Sequence, residues 1–460
     1  MNTPIGLRSL HEETVLKRTL SRCPTCLLPV PGEVVRRGPG HGEIHLRRTC
    51  PVHGEASFRI ARDARFHWLS RGADAQGDCG CDAGACRSSD GTRAGSLGRN
   101  GTGPAAADCE KLSTCLALIE VVHSCNLACP TCYADSPVGT GVRVDAPPLE
   151  ELCRRIQGVI DRKGRIEILQ LSGGEPTLHP RFLELLDWTM NHPGIDVVLL
   201  NTNGLRLARE PDFADRLART LRPGRFQLYL QFDGPDEAGQ VELRGADLRA
   251  AREACLDQCA RLGLGVTLAM TVVPANRASL WAAVQFGLRR DCVRGVSFQP
   301  RFLGGRLPAA PEDGPITPSD IILDLVDQAS GSLRVEDFTP LPCGDPNCAT
   351  IGYLLRVDGA VRSVSEFVDF TRLQDFLRDR VRYRLEDLAR CGCDSEPLGA
   401  LLRQFELDVR HTFRLFIKPF MDARTWDQDR IDRCCTHVIR PDGRLDSFCR
   451  YYSGFPDSRT

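Results

Sequence analysis

The chain has 460 residues, 42% hydrophobic and 26% charged, with a formal net charge of −1. That length holds one large domain and one or two smaller ones, and the near-zero charge excludes a bulk electrostatic pull toward nucleic acid. No run reaches the roughly 20 apolar residues of a membrane span, and the N-terminus (MNTPIGLRSLHEETVLKR) lacks the apolar stretch of a signal peptide. The expected location is therefore the cytoplasm, where thiols stay reduced. The 22 cysteines then point to metal or cluster ligation rather than disulfides.

Residues 1–70 read as a small ribbon-like metal-binding module. Cys23-Pro-Thr-Cys26 and Cys50-Pro-Val-His53 flank a hairpin-like segment, Gly32–Arg48. Cys23, Cys26, Cys50 and His53 suit a tetrahedral mononuclear site, with zinc and a rubredoxin-like iron both open. Residues 71–115 form a Cys-rich segment interrupted by a Gly/Ser/Ala-rich insertion, Arg87–Asp108. Cys81, Cys86, Cys109 and Cys115, with Cys79 nearby, can close an auxiliary [4Fe–4S] cluster around it.

From 116 to 306 strands and helices alternate. Apolar runs predict strands at 116–124, 167–173, 196–203, 225–232, 265–273 and 293–301. Amphipathic periods predict helices at 148–161, 179–191, 211–221, 245–262 and 278–289. Such βα repetition implies right-handed crossovers and an α/β fold, an open sheet or a partial (β/α)6 TIM-like barrel. Chemistry-bearing residues cluster at the C-terminal strand ends, which favours the barrel. After the first strand comes Cys125-Asn-Leu-Ala-Cys129-Pro-Thr-Cys132. Three thiols at that spacing hold three irons of a [4Fe–4S] cube and leave the fourth open to a substrate or cofactor. Later strands end in Gly173-Gly174-Glu175-Pro176, Asn201-Thr-Asn203, Gln231-Phe-Asp233 and Phe298-Gln299. Each alone is ordinary turn chemistry; together and in this order they suggest one shared ligand.

Residues 307–460 carry Cys343, Cys348, Cys434, Cys435 and Cys449, enough for another auxiliary [4Fe–4S] cluster. Adjacent thiols do not easily serve one iron, so one of Cys434 and Cys435 is expected to be spare or to bind elsewhere. Cys391 and Cys393 sit in charged helical sequence and are read as structural. Cys255 and Cys259, one helical turn apart, read as small buried hydrophobes. Leu401–Met421 mixes Phe, Leu and Arg; it reads as core, and also as the place for contact with a hydrophobic substrate.

Over roughly residues 112–301 the chain resembles the radical S-adenosylmethionine (SAM) superfamily, on CNLACPTC after the first strand and GGEP after the second. The resemblance implies that Cys125, Cys129 and Cys132 bind the cluster and that SAM chelates the open iron. It implies that Gly173, Gly174 and Glu175 contact the methionine amino group, with Pro176 in the same motif. Asn201, Asn203 and Asp233 become candidates for ribose or carboxylate contacts, joined by Gln299. The superfamily usually places an aromatic just before the third cysteine. Here that position is Thr131 and the aromatic is Tyr133, the candidate for adenine packing. Further stretches (CPxHG, QFDG, SFQP, CGDPNC, KPFMDA, RCCTH) resemble the branch with archaeal tetraether lipid synthases and radical SAM pterin methyltransferases. This implies an enzyme that cleaves SAM to a 5′-deoxyadenosyl radical, with reduced ferredoxin or flavodoxin as electron donor. The first reading is C–C coupling of lipid chains, with peripheral membrane contact left open. The alternatives are methylation of a pterin or other small molecule, and a non-catalytic iron–sulfur redox protein.

Overall fold

The computed structural model describes residues 13–68, 86–87, 110–112, 114–307, 314–341, 344–357, 360–366 and 411–455, with backbone alone at 86–87, 110–111 and 357. The N-terminal module is a four-stranded antiparallel sheet in chain order: β1 (Glu13–Arg22), β2 (Pro29–Arg37), β3 (Glu43–Cys50) and β4 (Gly54–Ala61). Val34, Ile44, Leu46 and Ala61 form its small core. So little apolar material does not hold a domain alone, and the module leans on the rest of the chain. The Lys17 ammonium pairs with Asp427 at 2.8 Å and Asp429 at 2.9 Å. Ser21 donates to the Trp426 carbonyl at 2.7 Å. The buried Arg48 guanidinium donates to the Ala423 and Arg424 carbonyls. A two-residue pairing, β5 (Cys86–Arg87) with β6 (Glu110–Lys111), follows.

Six parallel strands come next: β7 (Leu116–Val122), β8 (Ile166–Gly173), β9 (Ile195–Thr202), β10 (Phe226–Gln231), β11 (Val266–Val272) and β12 (Val293–Pro300). They neighbour one another in chain order without reversal. That winding belongs to a barrel rather than a doubly wound sheet. The connecting helices are those expected from the apolar periods. In α1 (Leu149–Lys163), Leu149, Leu152, Ile156, Val159 and Ile160 are buried at i, i+3, i+4 spacing, and the helix stops at Gly164 with φ 95°. After α2 (Phe182–Asn191), two of the expected helices are each preceded by a short helix that was not expected. Glu210 separates α3 (Leu205–Arg209) from α4 (Pro211–Thr220). Gly245, in the left-handed region, ends α5 (Glu237–Arg244) ahead of α6 (Arg249–Arg261). Cys255 and Cys259 lie in the main core, as expected of small hydrophobes.

Strands from the C-terminal region extend the same sheet on both edges. β16 (Thr412–Ile417) joins parallel to β12, and β14 (Thr350–Val357) runs antiparallel beyond it, flanked by β13 (Thr339–Pro340) and β15 (Ala360–Ser363). On the other edge β17 (Thr436–Ile439) pairs parallel with β7 and carries β18 (Leu445–Ser447). The region expected to carry an auxiliary cluster therefore also completes the walls of the barrel.

Candidate active site

The inward and outward faces of the barrel strands differ. Leu169, Leu171, Val198, Leu200, Leu228 and Leu230 point outward beneath the helices and are fully buried. Their inward neighbours Gln170, Leu199, Asn201, Gln227, Tyr229 and Gln231 are only half-buried, because they line a cavity of about 690 Å³. Barrel interiors of this kind are commonly filled by side chains; this one is open at ligand size. It is continuous with the cysteine loop, since Cys125, Cys129 and Cys132 share its lining. Leu118, Ile168, Val197, Leu199 and Phe416 make one side apolar, while β10 and β11 supply Gln227, Tyr229, Gln231, Thr267 and Thr271.

The cysteine loop is held by backbone contacts that need glycine. A Cβ on Gly173 would lie 2.2 Å from the Val122 carbonyl oxygen, and one on Gly174 2.0 Å from that of Ser124. The paired glycines thus let the end of β8 press against the root of the loop, where Gly174 N–H donates to Val122 at 2.8 Å and Glu175 N–H to Ser124 at 3.0 Å. Further on, Cys132 and Arg306 exchange backbone hydrogen bonds of 3.0 and 2.8 Å. Gly305 accepts positive φ there, closely packed on the Cys132 and Tyr133 carbonyls.

Several of the residues named as SAM contacts make hydrogen bonds within this scaffold. The buried Glu175 carboxylate accepts from the Thr177 and Thr202 hydroxyls, both at 2.7 Å, and from Asn203 N–H at 2.8 Å. Burial raises its pKa against those donors. Asn203 is also buried and donates to Asn126 at 2.6 Å and toward the Cys125 sulfur at 3.9 Å. Asp233 is fully buried at φ 62°. Its carboxylate takes the Arg244 guanidinium at 2.6 and 2.9 Å and the Thr271 N–H at 3.1 Å. Arg244 interacts in turn with Cys129. Glu175, Pro176, Asn203 and Asp233 do not line the cavity. Asn203 and the Asp233-held Arg244 place donors beside the Cys125 and Cys129 sulfurs, a lever on the potential of a bound cluster. Gly173, Gly174, Asn201, Gln299 and Tyr133 do line it. The Tyr133 hydroxyl bonds to Ser172 at 3.1 Å and its ring meets Tyr452 edge-on at 4.8 Å. The sequence reading passed over Arg244, Arg306, Tyr229 and Lys418, which also line the cavity. Polar residues at alternate positions of otherwise apolar parallel strands (FQLYLQ, EILQLSG) were the available signal.

The donor set fits a cluster. Burial first, then Glu175 and the adjacent thiol charges, pushes Cys125 up to about 12; a bound cluster's positive charge would relieve that crowding. At the ribbon the donor atoms of Cys23, Cys26, Cys50 and His53 all lie within 4.8 Å of one another. Cys26 and Cys50 sulfurs are 3.9 Å apart, and His53 Nδ1 is 3.6 Å from both Cys23 and Cys50. Tetrahedral zinc with ordinary bond lengths would set these separations at about 3.8 and 3.6 Å. Burial opposes ionisation of Cys23, yet the Cys26 and Thr25 backbone N–H groups prevail and lower it to about 6.

The C-terminal thiols separate into two places. Burial pushes Cys449 up to about 12, with Cys434 and Cys348 charges adding to it. Met421 N–H lies 3.2 Å from its sulfur, and Arg430 lies 3.7 Å from that of Cys348. Cys435 instead packs with Cys115, whose N–H donates to the Cys435 carbonyl at 2.8 Å; Cys115 itself is disulfide-bonded, against the expectation of a reduced cluster ligand. Cys81, Cys109, Cys343, Cys391 and Cys393 lie outside the described residues, as does the Cys86 side chain. Of Leu401–Met421, the described part supports the core expectation: Phe413, Leu415 and Ile417 are buried, while Phe416 and Phe420 face the cavity.

Residues 119–287 match the radical SAM superfamily, and residues 15–62 match the HMPTM N-terminal zinc ribbon domain. The chain therefore carries a radical SAM domain behind a zinc ribbon. It is 25% identical to a 7,8-dihydro-6-hydroxymethylpterin dimethyltransferase of Methanocaldococcus jannaschii, across 95% of this chain and 93% of that protein. It is 31% identical to the mycofactocin maturase of Mycobacterium tuberculosis over 35% of this chain and 38% of that one. Methylornithine synthase superposes on 46% of the chain and 62% of its own, at 15% identity and TM-score 0.37. The radical SAM assignment brings a [4Fe–4S] cluster and SAM as cofactors, and the further cysteine groups fit additional metal centres. No described helix is long and apolar enough to cross a membrane.

Proposed function

We propose that this radical SAM enzyme methylates a carbon of a pterin-like heterocycle. The observation that carries the reading is the end-to-end similarity to the pterin dimethyltransferase, ribbon included. Lipid-chain coupling, the first expectation from sequence, draws support only from the apolar side of the cavity.

In this reading Cys125, Cys129 and Cys132 hold the cluster. SAM lies across Gly173 and Gly174 with Asn201, Tyr133 and Gln299 as neighbours. Bound together, cluster and SAM supply a carbon radical that abstracts hydrogen. The chain's own part is to fix the loop through Glu175, Asn203 and the Asp233–Arg244 pair, and to keep water from the barrel interior. The ribbon site is structural. Cys348, Cys434 and Cys449 belong to one auxiliary centre, with Cys343 as the expected fourth ligand. Cys435 belongs to another, with Cys81, Cys86 and Cys109 as candidate partners, and Cys115 joins it only once its disulfide is reduced. Reduced ferredoxin or flavodoxin supplies the electron, in the cytoplasm.

The test is anaerobic turnover of reconstituted, reduced protein with SAM and 7,8-dihydro-6-hydroxymethylpterin. Expected products are 5′-deoxyadenosine, S-adenosylhomocysteine and a methylated pterin by mass spectrometry. Cys125→Ala should abolish SAM cleavage while ribbon metal and auxiliary iron remain. Deoxyadenosine formed without S-adenosylhomocysteine, alongside coupling of an isoprenoid chain, would replace this reading by the lipid one.

A further inference from the structure

Four glutamines line the cavity: Gln170, Gln227, Gln231 and Gln299. Two are committed within the protein. Gln227 donates to Thr267 and accepts from Arg414 at 3.1 Å. Gln299 donates at 2.9 Å to the Tyr229 hydroxyl, which donates on to Ser297 at 2.6 Å. Asn201 is likewise spent, donating to Ser172 at 3.2 Å. Gln170 and Gln231 differ. Among the described residues neither side chain has a hydrogen-bond partner, and both are half-buried with their amides in the cavity wall.

Their heights follow from strand register. Gln170 pairs with Leu118 on one side and Leu199 on the other. Asn201 pairs with Tyr229 one inward step nearer the cysteine loop. Gln231 lies one step beyond that, opposite Ala269. The two amides thus face the cavity on strands either side of β9, one deep and one toward the mouth, with the Asn201–Tyr229 layer between them.

An amide with no protein partner is tolerable in a wet cavity. Against an alkyl chain it is not, because a desolvated, unpaired polar group costs roughly 1–3 kcal/mol. No Asp or Glu lines the cavity among the described residues, so nothing there selects a cation. A primary amide offers one acceptor and two donors, which complements the N–H/C=O edge of a lactam. We propose that Gln170 and Gln231 are the substrate-recognition residues, taking a planar, non-cationic heterocycle with a lactam-type edge. Gln170 binds the polar edge far from the reacting carbon, and Gln231 the end nearer the cysteine loop. This deepens the pterin reading and rests on it.

The test uses full-length reconstituted protein with SAM bound. Gln170→Met and Gln231→Met keep side-chain length and remove hydrogen bonding. Each should raise the Kd for 7,8-dihydro-6-hydroxymethylpterin about tenfold, with SAM Kd, iron content and thermal midpoint unchanged. Gln170→Asn should recover part of the loss. If the parent binds and methylates the pterin but both Met variants bind it equally well, this assignment is overturned and the pterin reading survives. If the parent binds no pterin, both fall. A 16-carbon alkyl alcohol binding tighter to the Met variants than pterin binds to the parent would also overturn it.

Discussion

At the ribbon, four donor atoms come from residues 23–53 and already lie within 4.8 Å of one another. At the cysteine loop, three thiols come from one eight-residue stretch, yet their supports come from the ends of β8, β9, β10 and β12. The first site is closed by local chain geometry, with two knuckles brought together by a short antiparallel sheet. The second is left one ligand short and is positioned by buried hydrogen bonds running as far as Arg306. A closed tetrahedral site suits structure, and an open one suits chemistry. The contrast teaches that damage should stay local at the ribbon and should travel into the loop from distant positions.

The largest expected effect tests the loop side of that contrast without touching a thiol. Gly174→Ala puts a Cβ 2.0 Å from the Ser124 carbonyl, backbone that cannot move without shifting Cys125. Loss of SAM cleavage comparable to a cysteine substitution is expected, at least a hundredfold, roughly the cost of misplacing reacting groups by about 1 Å. Iron content should fall while ribbon zinc stays at one equivalent. Near-parental turnover in Gly174→Ala would show that the loop is not held from β8.

Cys26→Ser probes the other side. The zinc equivalent should be lost and proteolysis within residues 13–61 should accelerate, because binding energy at such sites is folding energy. Deoxyadenosine formation should stay within about tenfold of parent if the site is purely structural. A loss of SAM cleavage as deep as that of Cys125→Ala would mean the two sites are one functional unit.

Much of this was legible in the sequence, for reasons that differ by element. The six barrel strands fall within two residues of their expected bounds, because parallel strands covered by helices read as near-continuous apolar runs. The ribbon was legible because its ligands are local. The helix expected at 245–262 starts four residues late, because Gly245 ends a separate short helix, Glu237–Arg244, whose few polar-rich residues gave no clear period. The roles of Glu175, Asn203 and Asp233 were not legible. Short polar residues after a strand fit ligand contact and buried scaffold equally well, and the pairing of Asp233 with Arg244, eleven positions on, leaves no local signal. Nor could sequence show that β16 and β17 extend the barrel, since strand pairing across more than a hundred residues leaves no local signal.

The smallest expected effect lies at the seam between the two regions. His67 follows the ribbon, next to Trp68, whose N–H donates to Asn347 at 2.8 Å beside Cys348. Burial, then the nearby Arg430 charge, lowers His67 to about 4 from its ordinary 6.5. The folded chain therefore holds this imidazole neutral, while the unfolded chain takes up a proton below 6.5. Stability contributed by the seam should be constant above 6.5, fall as pH drops toward 4, and change no further below that, about 3 kcal/mol in all. His67→Gln has no proton to take up, so its denaturation midpoint should fall less steeply than the parent's across that interval. Parallel slopes for the two proteins would mean that His67 is already solvated in the fold, and that the ribbon docks without burying it.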